Sequence, residues 1–553
     1  MDMTPSSPLK SRTHELPLAK IASLDAYRRA LDEGASQRDA AEAAGLPRMT
    51  LVDRNQYRPS PYGEATLRFL ETPEGASFLQ FIVLSVAMAF VVAAGVGIPT
   101  FLGWLRDSKL DMIFASSNAT WRKIITDLEN ATVAVAEEEQ KRLAPAVQGK
   151  EVTIALDETW LNKRMLLVCG DAVSGLLFFE QYRESRSAES WNEVWKSEAG
   201  IYNLKVLQGV ADAGTGLTGF LENSLGAHRS PDLFHVENDL CKALARFLAG
   251  REKRAQDAIE ERKLILARLK EEAEIEEKKT GPGRRRDLAK AMQEARGLIA
   301  SAHHELEFLK REREKLKLLL ARMSEVYTPI FPNGERRSSS YLETELRNLL
   351  QEFRELAGRV HLPAQLMKYI GKAERQIPAM VETLAFWSSE SRRRVSAFAR
   401  DDAEGYAIHA YIITNFLLET QAGRTSGDER LALKAAAERL RERAQSAIPD
   451  EKRLQECYEA AKFIADLWQR SSSAIEGRNG LLSQRHHGLR GISDRKLKCL
   501  TALHNFHARR SDGTTAAERF FGCEHADIFQ EAIARCRQIP LALRRQESIK
   551  NAA

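Results

Sequence analysis

The stretch that decides the fold is residues 151–184, EVTIALDETWLNKRMLLVCGDAVSGLLFFEQYRE. It contains three short runs rich in β-branched and apolar residues, EVTIALDETW, RMLLVCGDAV and GLLFFEQYRE, separated by the turn signals NK and SG. Runs of this length and composition between turn residues predict strands. We therefore predict a three-stranded meander.

The segment after the meander predicts alternating helices and strands. SAESWNEVWKSEAG (187–200) predicts a helix capped by Ser187, and NLKVLQGVAD (203–212) predicts a buried strand. TGLTGFLENSL predicts a second helix, SPDLFHV a short strand, and a third helix opens at Asn238. The full order is three strands, helix, strand, helix, strand, helix. This is the element order of the ribonuclease H-like fold, a mixed sheet covered by helices.

A long heptad pattern follows. Its positions lie alternately four and three residues apart, and all of them are apolar except Arg313. This spacing predicts a coiled-coil seam. The positions are Leu288, Met292, Ala295, Ile299, Ala302, Leu306, Leu309, Arg313, Leu316, Leu320 and Met323. Residues 241–273 fit the same repeat, and KKTGPGRRR (278–286) separates the halves. We predict an antiparallel helix hairpin; a seam offered to a second chain is the alternative.

The N-terminal part predicts small helical units. Residues 1–19 are polar and aperiodic, as in a disordered leader. Residues 20–60 have the pattern of a helix-turn-helix, with Ser36 as an N-cap, Ala40 and Ala41 at a helix crossing, and Gly45 at the turn. The third helix would offer DNA the side chains of Arg48, Thr50, Arg54 and Asn55. A helical protein-binding module is the alternative.

Residues 61–148 predict further helices, with Ser117 as a cap. They fit a second DNA-contacting unit or a linker bundle equally well. No charge occurs between Glu74 and Arg106, and residues 78–98 are long enough to cross a bilayer. Gln80, Gly95 and Gly97 interrupt that stretch, and Pro99 follows it. We therefore favour a helix buried in a soluble domain over a membrane span.

Composition limits the remaining choices. The 553 residues carry 82 Lys and Arg against 77 Asp and Glu, a net charge of +5 that does not by itself indicate nucleic acid. The six cysteines include no CxxC pair, which excludes the spacing of a thiolate zinc site or a compact disulfide framework. A reducing cytosol fits this pattern.

Acidic residues at predicted strand ends carry the candidate chemistry. Asp157 ends the first strand and Asp212 the fourth, and acids at the ends of adjacent strands can converge on one metal ion. A hard cation such as Mg²⁺ prefers such oxygen ligands, and two ions can stabilise both oxygens of a phosphoryl displacement. Glu476, in SAIEGRN, is the candidate third acid; an ordinary surface glutamate is the alternative.

These motifs resemble a known family. IALDETW, GVADAG and SAIEGRN resemble the Asp–Asp–Glu (DDE) triad of cut-and-paste DNA transposases and retroviral integrases. HHGLRGISDRKLKCLTALHNFHARRSDGTTAAERFFG resembles a block that follows the glutamate in one bacterial insertion-sequence transposase group. The likeness covers 150–250 and 465–525 well. Unlike the shortest superfamily members, this chain separates Asp212 from Glu476 by 264 residues, which implies an all-helical insertion domain.

The resemblance implies a function. Asp157, Asp212 and Glu476 would bind two Mg²⁺ or Mn²⁺ ions and catalyse strand cleavage and transfer at the ends of a mobile element. The partner would be double-stranded DNA, bound by a homo-oligomer on paired ends. The location would be the bacterial cytoplasm, at the nucleoid, without a membrane. A nuclease without strand transfer, and a non-catalytic scaffold or DNA-binding protein, remain alternatives.

Other polar residues are further candidates. His235 lies at the end of the predicted fifth strand and could approach a phosphate, although a structural histidine is the commoner role. Asp171 fits a turn, and Trp468 fits a core tryptophan better than a base-stacking one. Arg478 and Asn479 could hold substrate. A basic strip could attract phosphates or form a solvated face; it includes Arg485, Arg490, Arg495, Lys496 and Lys498.

The sequence thus predicts a multidomain α+β protein. Its sections are 1–19 (leader), 20–60 (helix-turn-helix), 61–148 (helical), 149–250 (first part of the ribonuclease H-like core), 251–326 (coiled-coil hairpin), 327–465 (helical insertion), 466–525 (second part of the core) and 526–553 (helical tail).

Overall fold

The computed structural model describes residues 17–46, 48, 51, 66, 69, 72–161, 163–281, 286–331, 333–489 and 491–540. The described part before residue 150 is helical, as predicted. Its helices are α1 (Pro17–Asp32), α2 (Gln37–Ala43), α3 (Pro73–Val86, continued by a π-helical stretch Ala87–Ala93), α4 (Ile98–Asp107) and α5 (Asn118–Leu143). Ser36 and Ser117 cap α2 and α5, which confirms both predicted caps.

A mixed five-stranded sheet follows these helices. Its elements are β1 (Glu151–Leu161), β2 (Arg164–Asp171), β3 (Leu177–Arg183), α6 (Ala188–Glu198), β4 (Lys205–Ala211), α7 (Thr215–Gly219, continued by a π-helical stretch Phe220–Ser224), β5 (His228–Pro231) and α8 (Leu233–Leu240, continued by a π-helical stretch Cys241–Ala245). The strand order is β3-β2-β1-β4-β5. Strand β1 is antiparallel to β2 and parallel to β4. The meander and the element order are confirmed.

The predicted bounds of the fifth strand and the next helix are wrong. The strand ends at Pro231, and α8 begins at Leu233 rather than at Asn238. Asp232 explains the difference, because its carboxylate accepts a hydrogen bond from the Phe234 amide and caps the helix. An apolar run as short as LFHV does not distinguish a strand from a helix by periodicity.

An all-helical section follows. It comprises α9 (Arg246–Glu277), α10 (Ala289–Val326), α11 (Ser339–Arg359), α12 (Ala364–Glu374), α13 (Ile377–Phe398), α14 (Asp402–Ala407, continued by a π-helical stretch Ile408–Ile413), α15 (Thr414–Ala422), α16 (Gly427–Ala447) and α17 (Glu451–Asp466). Its apolar core includes Trp387 and Trp468, whose rings lie 6.0 Å apart. Trp468 is therefore a core residue, as predicted.

Helices α9 and α10 pack side by side in opposite directions. Arg262 donates to the Leu298 carbonyl, and Arg313 pairs with Glu252, so residue numbers rise along one helix as they fall along the other. Small and branched side chains fill the seam near Ala255. The ion pair explains how Arg313, the polar position of the heptad, is accommodated. The arginines at 284 and 285 lie outside the described residues.

The chain returns to the sheet through α18 (Ser473–Leu489), α19 (Asp494–Phe506), α20 (Ala516–Phe521) and α21 (Ile528–Arg535). Ile475 and Leu482 of α18 pack with Ala155 of β1 in one cluster. Gly170 of β2 permits this approach, because a Cβ there would lie 3.2 Å from Ile475 Cδ1 and 2.6 Å from a backbone oxygen.

Hydrogen bonds hold the two ends of the helical section together. The Leu233 amide donates to the Arg470 carbonyl at 2.9 Å, and the Ser472 amide donates to Asp232 Oδ2 at 3.1 Å. Leu233 belongs to the apolar core of the helical section. The section leaves the sheet and rejoins it at one place.

The apolar N-terminal segment forms a helix over Pro73–Ala93, the one helix among the described residues that is long and apolar enough to cross a membrane. One face, including Leu84 and Met88, lies in the main core beside the sheet. Phe78 and Phe90 on the other face are exposed. The helix ends before Gly95, whose φ of +78° favours glycine.

Candidate active site

The two candidate aspartates lie side by side where the parallel strands β1 and β4 separate. Ala155 of β1 is in register with Val210 of β4, and two further residues along each strand are Asp157 and Asp212. Adjacent strands are about 4.8 Å apart. Burial is the main cause that raises the pKa of Asp157, and the nearby negative charge on Asp212 adds to that rise. The structure therefore brings these two acids together.

Asp157 does not end its strand, which corrects the sequence-based expectation. Strand β1 continues to Leu161, and Asp157 is paired with Val168 of β2. The antiparallel β1–β2 ladder simply extends further than the parallel β1–β4 ladder, which stops two residues before Asp157. Sequence alone cannot reveal that β1 has a longer partner on one side than on the other.

The Asp157 carboxylate is largely buried, with 13% of its side chain exposed. Burial raises its pKa to about 6, against the lowering effects of the Glu158 amide, His235 and Asn479. The Glu158 amide donates to Oδ1 at 2.8 Å, and Asn479 Nδ2 donates to Oδ2 at 2.5 Å. These two donors therefore hold the Asp157 carboxylate in position, but they do not fully offset the cost of burying its negative charge.

Asp212 follows β4 directly and is oriented by the next turn. Its Oδ1 accepts the Gly214 amide at 2.9 Å, an arrangement that Asp favours in turns. A Cβ at Gly214 would lie 3.0 Å from the same oxygen. The small residue in the motif GVADAG therefore leaves room for the Asp212 carboxylate.

His235 lies next to the aspartates, but on a helix. Its predicted place at the end of the fifth strand is wrong, because it belongs to the first turn of α8. Its Nε2 lies 3.8 Å from Asp157 Oδ1. The exposed ring of Phe234 has its centroid 5.9 Å from the His235 ring.

Glu476 lies in α18, the helix that packs on β1, and its side chain lies outside the described residues. Asn479 is three residues further along this helix, and positions three apart share a helix face. Because Asn479 bonds to Asp157, the backbone of Glu476 lies about one helical turn from that contact. The sequence predicts that Asn479 holds substrate. In the structure its side chain donates to Asp157, a partner that the sequence does not reveal.

Arg478 is an internal ion-pair residue, which corrects its expected role in holding substrate. Its side chain is 4% exposed and donates to both oxygens of Glu180 of β3, at 2.9 and 2.8 Å. Thr501 donates to the same carboxylate at 2.6 Å. The Glu180 carboxylate thus joins α18 and α19 to the sheet, and the buried Arg478 guanidinium offers no surface for DNA.

The predicted basic strip is only partly on the surface. Lys496 is buried, where it donates to the Val91 carbonyl and pairs with Glu129. Arg495 pairs with the same glutamate at 2.8 Å. Lys498 is exposed, and Arg485 is partly exposed. Arg490 lies outside the described residues.

The N-terminal DNA candidates are described in part. Arg48 is exposed, and Ala40 and Ala41 are buried where the predicted helix crossing places them. Thr50, Arg54 and Asn55 lie outside the described residues. Asp171, as expected, shapes a turn, because its Oδ2 accepts the Ser174 amide at 2.7 Å.

Sequence reasoning missed Glu158 as part of the acidic centre. Its side chain is 7% exposed, accepts from Trp191 Nε1 at 3.1 Å and pairs with Arg186 at 3.3 Å. Burial, and to a smaller extent the Asp212 charge, raise its pKa. The adjacent acids Asp157 and Glu158 in IALDETW are the signal that could have identified it. Because alternation along a strand directs adjacent side chains to opposite faces of the sheet, the pattern does not predict that both belong to one centre.

The donor set suits a hard divalent cation. Asp157 and Asp212 offer carboxylate oxygens, the ligands that Mg²⁺ prefers, and a cation between them would relieve their repulsion. Among the described side chains, no group of three His, Cys, Asp or Glu is close enough to hold a metal ion. The side chain of Glu476 is not among them. The two aspartates therefore fit part of a metal site.

Comparison with known proteins adds a family without an assigned activity. Residues 408–548 match DUF6399, a family of unknown function. The match covers α18 and the segments on both sides of it, but not the strands that carry Asp157 and Asp212. No curated protein matches the chain.

Proposed function

We propose that the protein is a DDE-type DNA transposase that cleaves and joins DNA strands with two divalent metal ions. The observation that carries the proposal is the contact between two distant parts of the chain. Asp157 stands beside Asp212 across β1 and β4, and Asn479, from the helix that contains Glu476, donates to Asp157. This places three separate elements at one acidic centre.

The architecture supports the same proposal. A sheet of order β3-β2-β1-β4-β5, with β2 antiparallel to its neighbours and β4 parallel to β1, is what a ribonuclease H-like domain requires. The helical section lies between β5 and α18, where the long separation of Asp212 from Glu476 demands an insertion. Helices α9 and α10 would form its coiled-coil hairpin.

The chain's own residues define what the centre does. Asp157, Asp212 and Glu476 would hold the ions, which stabilise the charge on the entering and leaving oxygens of a phosphate. The Asn479 amide and the Glu158 amide fix the Asp157 carboxylate. In cleavage, a water oxygen bonds to phosphorus, the P–O3′ bond breaks, and the 3′-oxygen leaves as a hydroxyl. In joining, that 3′-hydroxyl attacks a target phosphate and releases the target's own 3′-oxygen.

Substitution of each acid tests the proposal. Asp157→Asn, Asp212→Asn and Glu476→Gln should each reduce Mg²⁺-dependent cleavage of DNA from the flanks of the reading frame by roughly a thousandfold, because several kcal/mol of charge stabilisation are lost. DNA binding should remain. The exposed Asp107→Asn is the matched control and should cleave normally. Full cleavage by all three variants would contradict the proposal.

A second assay distinguishes transposition from hydrolysis alone. A pre-cut DNA end with a free 3′-hydroxyl is supplied with plasmid target and Mg²⁺, and joined products are measured. A transposase gives joined products that disappear in Asp157→Asn. Cleavage without joining would indicate a nuclease, and neither reaction in the wild type would favour a non-catalytic scaffold.

A further inference from the structure

A large cavity in the described part of the chain lies in the helical section, not at the acidic centre. Its volume is about 870 Å³, and its walls come from α10, α11, the α15–α16 connection and Arg470. An adjoining space of about 50 Å³ shares Gln421, Arg424 and Arg470 with it. A cavity of this size can hold a ligand of several dozen atoms.

Two arginines in the wall lack a carboxylate partner. Arg424 has no side-chain hydrogen bond or ion pair among the described residues. Arg470 donates to the Ser324 carbonyl at 2.5 Å and forms no close ion pair among the described residues, although the charge of Glu237 acts on it. The remaining cations of the wall are paired, for example Arg359 and Lys315 with Glu312. Arg424 and Arg470 are thus the two cations of the wall without a directly bonded carboxylate.

The charges around Arg424 leave it uncompensated. Arg424 is exposed, yet partial desolvation by the surrounding wall, followed by the charge of Arg470, lowers the pKa of Arg424. Glu325, Glu355 and Glu429 also line the cavity, and Glu352 pairs with Arg322. None of these carboxylates forms a contact with Arg424. A ligand that approaches Arg424 therefore meets two positive charges close together, those of Arg424 and Arg470.

Backbone donors line the same wall. Helix α16 begins at Gly427, and the Ser426 side chain at its N-cap makes no capping hydrogen bond. The first amides of a helix have no intrahelical acceptor and favour an anion. Asp428 and Glu429 place two carboxylates in the first turn of α16, so a bound phosphate would compete with them for these amides. A Cβ at Gly427 would meet nothing within 4 Å, so the backbone there is open.

An indole donor adds to this set. Trp468 lines the smaller space and is 6% exposed. Its Nε1 is buried without an acceptor among the described residues. Two guanidinium groups, uncapped helix amides and an indole N–H are all donors, and an oxyanion can accept from all of them.

We propose that this cavity binds the phosphate group of an anionic ligand through Arg424, Arg470 and the N-terminus of α16. The phosphate would come either from a nucleic-acid backbone or from a free phosphate or nucleotide, since both present the same oxygens. The site is separate from the acidic centre and does not depend on the proposed transposase activity.

Hydrogen–deuterium exchange of the full-length protein tests the site without a variant. Exchange at residues 424–430 is measured alone, with inorganic phosphate, and with a short DNA duplex, against KCl of equal ionic strength. We expect phosphate, duplex or both to slow exchange there. Slowing by the duplex alone assigns the nucleic-acid backbone, and slowing by free phosphate alone assigns a small anion. No slowing by either would overturn the proposal.

Arg424→Gln then tests the residue. Loss of a charge-assisted hydrogen bond should weaken the effective probe roughly tenfold. Arg424→Lys keeps the charge and should bind more tightly than Arg424→Gln. Arg439→Gln removes an exposed arginine of α16 and is the matched control, which should change binding by less than about twofold. Equal losses in Arg424→Gln and Arg439→Gln would overturn the site, because they would indicate a diffuse effect of net charge.

Discussion

Two consecutive residues of α18 serve opposite purposes. Arg478 places a buried charge against Glu180, and both oxygens of that carboxylate are satisfied. Asn479 gives Asp157 only a neutral donor, and burial raises the pKa of Asp157 to about 6 in spite of that hydrogen bond. The ion pair with Arg478 offsets the burial of the Glu180 carboxylate. The hydrogen bond from Asn479 brings no positive charge to Asp157, so the burial of that carboxylate is not offset. A contact such as Arg478–Glu180 stabilises the fold. A contact such as Asn479–Asp157 leaves a carboxylate that could still bind a cation.

The largest expected effect comes from breaking the compensated pair. Arg478→Met should lower the free energy of unfolding by about 3–5 kcal/mol, because it leaves Glu180 ionised and buried without a counter-charge. Urea unfolding measures this. The double variant Arg478→Met with Glu180→Gln should regain part of the loss. A single variant as stable as the wild type would mean that the pair does not anchor α18.

The uncompensated aspartate should behave in the opposite way. A pKa raised from 3.8 to about 6 means that folding is opposed once Asp157 ionises, by about 3 kcal/mol at most. The folded state therefore has its full stability at low pH, where Asp157 is protonated, and loses up to that amount as the pH rises from 3.8 through about 6. Without metal, Asp157→Asn should therefore raise the free energy of unfolding at pH 8, and the gain should shrink toward pH 4.

Urea unfolding of both proteins at the two pH values checks this sign. Asp107→Asn is the exposed control and should show no such gain. A destabilised Asp157→Asn variant at pH 8 would mean that the carboxylate is better compensated than its neighbours indicate.

A smaller effect should follow removal of the neutral donor. The Asn479 hydrogen bond lowers the pKa of Asp157, so Asn479→Ala should raise that pKa and move the acid limb of the cleavage pH profile upward. Loss of orientation should also reduce cleavage roughly 10- to 100-fold. Gln484→Ala, an exposed position of the same helix, is the control. An unshifted profile would remove Asn479 as a positioning residue.

The smallest expected effect concerns the exposed part of the basic strip. Lys498→Gln should weaken DNA binding only a few-fold and reduce the slope of log K against log salt by about 0.9, the value for one phosphate contact. Fluorescence anisotropy over a series of salt concentrations measures both. An unchanged slope would place Lys498 away from DNA.

The comparison also shows what sequence can predict. The meander, the cap at Ser187 and the neighbouring aspartates follow from local patterns and register. The roles of Arg478 and Asn479 do not, because both depend on how α18 is placed against strands about 300 residues away. His235 was assigned to the wrong element because Asp232 caps a helix whose apolar run is short. Long-range packing decided the roles of Arg478 and Asn479, whereas a local helix cap decided the place of His235.

The central claim is that Asp157, Asp212 and Glu476 meet at one divalent-metal site. Fe²⁺ bound in place of Mg²⁺ generates radicals that cut the polypeptide near the metal, and mass spectrometry of the DNA-bound protein maps the cuts. We expect cuts near residues 157, 212 and 476 that excess Mg²⁺ suppresses and Asp157→Asn abolishes. Cuts near the aspartates with none near 476, or cuts that persist in Asp157→Asn, would contradict the account.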